Sequence, residues 1–146
     1  MAQRDRELLA RFLGELEEVS VLVFEGSGRF LPEHLIGDLR EAWEPILANY
    51  RTAQNALEDS GERLDSLLAV HGLTGPQLQL KYNAFYRAFE RFRRLAFRGR
   101  PPRRLLARLL TWADIILESL GFLPGVDAIK EAKDVLQAGN EELRRR

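Results

Sequence analysis

Residues 35–71 read LIGDLREAWEPILANYRTAQNALEDSGERLDSLLAVH, and the spacing of their inward-looking positions decides the fold. Leu35, Leu39, Trp43, Ile46, Tyr50, Ala53, Leu57, Gly61, Leu64, Leu68 and His71 recur at a mean interval of about 3.6 residues, the repeat of a straight α-helix. An interval of about 3.5 would instead impose a left-handed supercoil. One unbroken helix of this length is about 55 Å long at about 1.5 Å per residue. A compact chain of this size has a radius of gyration of about 15 Å, so the spacing predicts an elongated molecule with other helices laid along this one.

Pro32 sits where a first helical turn accepts proline. Two places threaten continuity. Pro45 removes the hydrogen bond to the Glu41 carbonyl and predicts a bend. Asp59 and Glu62 have capping-box spacing around the weak helix former Gly61. The 3.6-residue phase nevertheless runs from Leu57 through Gly61 to Leu64 without slipping, which favours a continuous helix over about 33–71.

Gly72-Leu73-Thr74-Gly75-Pro76 is the clearest turn, with glycine as terminator, Thr74 as N-cap candidate and Pro76 near the first helical position. It predicts an antiparallel hairpin with a return helix over about 76–98. Leu78, Tyr82, Phe85, Phe89, Phe92 and Ala96 alternate at intervals of 4 and 3 along it, a stripe expected to pack on the long helix. Arg87, Arg91, Arg94 and Arg98 lie about 200° round from Phe85, at 100° per residue.

Three further helices complete an all-α bundle of five. Residues 4–24 carry Leu9, Phe12, Leu13, Leu16, Val19 and Val23 on one face, with Asp5 as N-cap candidate. Glu25-Gly26-Ser27-Gly28-Arg29 reads as a plain connector. Residues 103–120 are apolar nearly all round, with a polar seam of Arg104, Arg108, Thr111, Asp114 and Glu118 on which charge pairing is expected. Residues 126–138 form the last helix, and 139–146 read as a frayed tail of a single domain spanning 1–146.

The 22 bases and 22 acids cancel, but they are segregated along the chain. Up to Ser66 there are 14 acids and 7 bases, whereas residues 67–111 hold 10 bases and the single acid Glu90. Arg103, Arg104 and Arg108 even stand in the first turns of a helix, where the dipole disfavours cations. Cysteine is absent, which excludes disulfides and thiolate metal sites and suits a cytoplasmic setting. No run has the about eighteen uncharged apolar residues of a membrane span.

Chemistry finds little to work with. His34 and His71 stand at opposite ends of the long helix, poor material for zinc, and neither a phosphate loop nor a nucleophile elbow surrounds Gly26-Ser27-Gly28. The reading is a non-catalytic helical interaction module, a scaffold or adaptor that binds a protein partner or itself, with no cofactor, metal or small-molecule substrate. Its candidate surface is Arg87, Arg91, Arg94, Arg98, Arg104 and Arg108. A second reading has an effector of anionic surfaces, meeting nucleic acid through the arginine stripe or a membrane through the apolar 105–126 segment. A third places an enzyme site on the 104–118 polar seam.

Overall fold

A computed structural model describes residues 2–59, 61–99 and 102–145, and the side chains of all of these except 2, 3, 27, 28, 61 and 62. They fold as an all-α bundle: α1 Ala2–Glu25, the single turn α2 Ser27–Phe30, α3 Glu33–Asp59, α4 Gly61–Val70, α5 Gly75–Phe97, α6 Arg103–Ser119 and α7 Val126–Arg144. No strand occurs among the described residues.

Helices α3 and α4 occupy most of the span expected as one helix. They stand either side of Ser60, which lies outside the described residues, and the question of a break at Asp59–Gly61 falls there. Helix α3 runs through Pro45 without interruption. Pro45 and Glu41 are both exposed, so the Glu41 carbonyl deprived of its donor faces water rather than the core. The Asn49 amide donates to the Pro45 carbonyl at 2.7 Å.

The principal packing pairs follow one another in a ring: α3 on α1, α1 on α5, α5 on α6, α6 on α7, and α7 back on α3. This corrects the expectation that the aromatic stripe of the return helix packs on the long helix. Phe85 is fully buried and meets Phe12 of α1 edge-on at 4.8 Å, while Phe92 meets Phe30 of α2 at 5.8 Å. The apolar faces of α1 and α6, both fully buried, take the place assigned to α3. Each such phenylalanine contributes on the order of 3–5 kcal/mol by the usual cost of truncation to alanine. The accessible surface is 8263 Å², slightly above the about 7,700 Å² of a compact chain of 16.8 kDa.

Three local expectations also change. The connector at 25–29 contains a helical turn, anchored because Phe30 and Leu31 are buried. His71 is exposed rather than inward, and its ring stacks on Phe122 at 5.2 Å. The tail expected to fray from residue 139 is helical to Arg144, because Gly139 and Asn140 are buried and the Asn140 amide donates to the Arg103 carbonyl at 2.9 Å.

The turn into α5 follows the sequence closely. Gly72, at φ +70°, ends α4 as its N–H reaches the Ala69 carbonyl and the Leu73 N–H reaches Leu68. This paired pattern needs a left-handed residue at the first position beyond the helix, and Leu73 is fully buried behind it.

Candidate functional site

Helical periodicity puts the arginines where they are. On α5 the face of Tyr82, Phe85, Phe89 and Phe92 is buried, so Arg87, Arg91, Arg94 and Arg98 project to solvent. On α6, Leu106, Leu109, Leu110 and Ala113 are buried, and Arg104 and Arg108 are exposed one turn apart. Because α5 and α6 pack together, the two rows meet.

Arg87, Arg91, Arg94 and Arg108 line a groove of about 480 Å³ between α5 and α6, walled by Tyr86, Leu105 and Trp112. A smaller hollow of about 190 Å³ extends it past Arg91 and Arg94 to Arg98. Arg104 is exposed a turn before Arg108 and lines neither. One acid shares the groove: Glu90, whose carboxylate accepts from the Tyr86 hydroxyl at 2.9 Å and meets Arg93 at 3.4 Å. That bond to Glu90 is the main reason the Tyr86 phenol is held above its ordinary pKa, with burial adding to it.

None of the six arginines makes an ion pair with a described residue. Apart from Glu90, the acids that pair do so elsewhere. Asp65 of α4 meets Arg6 of α1 at 3.3 Å, and Glu18 of α1 meets Arg93 at 3.6 Å. The expected pairing along the α6 seam is corrected too. Asp114 binds Lys133 at 2.7 Å and Glu118 binds Lys130 at 3.0 Å, both on α7, while Arg104 and Arg108 go without. Like charges three and four residues apart on a helix repel by about 0.2–0.5 kcal/mol per pair, so the row on α5 carries repulsion that the one acid among them, Glu90, offsets only in part and an anion would reduce further.

Lys133 deserves its place in the fold. It is only 2% exposed and is held by Asp114, by Asp134 at 2.6 Å and by Gln137 at 3.2 Å. Burial pulls its pKa down, but hydrogen bonds to Asp114 and Asp134 outweigh burial and raise it, so the ammonium stays charged. The spacing Ile129, Lys133, Leu136 put it on the inward face, a signal overlooked beside Ala132.

The apolar 105–126 segment goes mostly into the core, with Leu105 and Trp112 half-buried at the groove and Ile115 its one exposed large apolar side chain, at 38%. No helix among the described residues is long and apolar enough to cross a membrane. No group of three His, Cys, Asp or Glu side chains among the described residues is placed to hold a metal ion. Tyr86 and Trp112 as groove walls were not legible, since both fit core spacing. Compared with protein-family models, with curated proteins and with solved structures, the chain matches none.

Proposed function

We propose that this chain is a non-catalytic binding module whose α5/α6 groove receives an acidic, helical segment of a protein. The carrying observation is that Arg87, Arg91, Arg94 and Arg108 stand exposed around one groove with no ion pair to a described residue, although the chain holds as many acids as bases. A guanidinium fork suits carboxylate and phosphate alike. What favours protein is the apolar surface in line with the arginines. Leu80, 71% exposed, lies on the Arg87 face of α5, and Ile115 lies on the Arg108 face of α6. An amphipathic helix gains from covering such residues, whereas a sugar–phosphate backbone does not.

The test is fluorescence anisotropy with two probes, a helix-forming glutamate- and leucine-rich peptide and a single-stranded oligonucleotide. The peptide is expected to bind, and joint replacement of Arg91 and Arg94 by glutamine to weaken it by about tenfold or more, as lost charge-assisted hydrogen bonds do. Tighter binding of the oligonucleotide, falling steeply with salt as counterions are released, would transfer the groove to the nucleic-acid reading.

A further inference from the structure

The groove has a complement on the chain itself. Helix α3 carries Glu33, Asp38, Glu41, Glu44, Glu58 and Asp59 against Arg40 and Arg51. Asp38, Glu41 and Glu44 are exposed and make no ion pair with a described residue. They span about 9 Å along the helix axis, and Arg87 to Arg94 span about 10 Å, at about 1.5 Å per residue. Around these acids the exposed surface of α3 carries small residues as well as Arg40 and Pro45. Gly37, Ala42 and Ala48 are exposed, and nothing lies within 4 Å of a Cβ built on Gly37. Small side chains let a second helix approach closely.

The two faces cannot satisfy each other within one molecule. Helix α3 packs chiefly on α1 and α7, whereas the groove belongs to α5 and α6. With a formal net charge of zero, copies do not repel one another as wholes, and the segregated charge orients them instead.

We infer that the occupant of the groove is a second copy of this chain, which docks the Asp38–Glu44 face of its α3 between α5 and α6. This rests on the reading of the groove as a site for an acidic helix. Acidic and basic faces differ, so the contact is head-to-tail: each copy keeps one free face of each kind, and association continues into a ring or an open chain.

Sedimentation velocity tests this over a concentration series, at about 20 mM and about 300 mM salt, where the screening length falls from about 20 Å to about 6 Å. The expected result is a mass that grows with concentration from 16.8 kDa at low salt, with at least about tenfold weaker association at high salt. Two variants sharpen it: Arg91→Glu with Arg94→Glu breaks the groove, and Glu41→Gln with Glu44→Gln breaks the face. Each alone is expected to stay monomeric with an unchanged melting temperature. Mixed, they are expected to form a dimer and stop there, since one intact groove meets one intact face. A wild-type chain that stays monomeric at every concentration in low salt overturns the inference, as does a mixture that does not recover dimer. Wild type that is monomeric yet binds the glutamate-rich peptide sinks only the self-association. Wild type that does neither sinks the groove reading as well.

Discussion

The carboxylate of Asp5 accepts a hydrogen bond from the backbone N–H of Gly75 at 3.1 Å, so a side chain in the first turn of α1 caps the start of α5. Asp5 is 6% exposed, and its charge lies at the positive end of the α5 dipole. Thr74, which occupies the N-cap position by sequence, makes no capping bond with its side chain.

Replacing Asp5 by alanine should therefore cost about 1 kcal/mol, the usual worth of a helix cap. Thr74→Ala should cost much less. Urea denaturation of the two variants checks this, and an equal loss in both would return the cap to Thr74.

This pair also marks where the sequence stopped being readable. Asp5 and Thr74 were both recognisable as capping residues, and the turn between α4 and α5 was found from its glycines. Which helix a cap serves depends on tertiary placement, and no local pattern carries that. The aromatic stripe behaves likewise: period 3.6 identified Phe85, Phe89 and Phe92 as one buried face, but a face does not name its partner, and α1 and α6 took it. The arginine row was legible residue by residue. Its lack of ion pairs to described residues was not, because it depends on where the acids stand in the fold, and several are engaged by Lys133, Lys130, Arg93 and Arg6 or sit on α3.

Two helical glycines should respond to alanine with opposite signs. Gly139, expected to begin a frayed tail, lies inside α7, where a Cβ would come within 2.8 Å of Leu31 Cδ2, 3.1 Å of Leu35 Cδ1 and 3.3 Å of Pro32 Cδ. Gly37 of α3 is exposed with open space around it. Gly37→Ala should stabilise by about 0.5–1 kcal/mol through helix propensity. Gly139→Ala has the same local gain but should lose about 1–3 kcal/mol to overpacking against Leu31 and Pro32. Denaturation midpoints moving the same way in both variants would contradict this packing of α7 on the start of α3.

Glu15 gives the fold a pH dependence of its own. Its carboxylate accepts the Tyr82 hydroxyl at 2.6 Å, joining α1 to α5. Burial raises its pKa above the ordinary 4.5, and the Tyr82 bond, with Arg11, only partly opposes that rise. The folded chain thus holds this proton more tightly than the unfolded one. The resulting stability is fully present below the unfolded value and is lost as pH climbs through the higher folded value. Glu15→Gln keeps an acceptor for Tyr82 and removes the titration. The stability of this variant minus that of the wild type should therefore rise as pH climbs above the ordinary 4.5 and level off once pH has passed the raised folded value. Tyr82→Phe removes the bond that holds the Glu15 pKa down, so in that background the carboxyl resonance of Glu15 should titrate at still higher pH. A stability difference that stays flat or falls across this range would mean that the carboxylate is better solvated than its place between α1 and α5 implies.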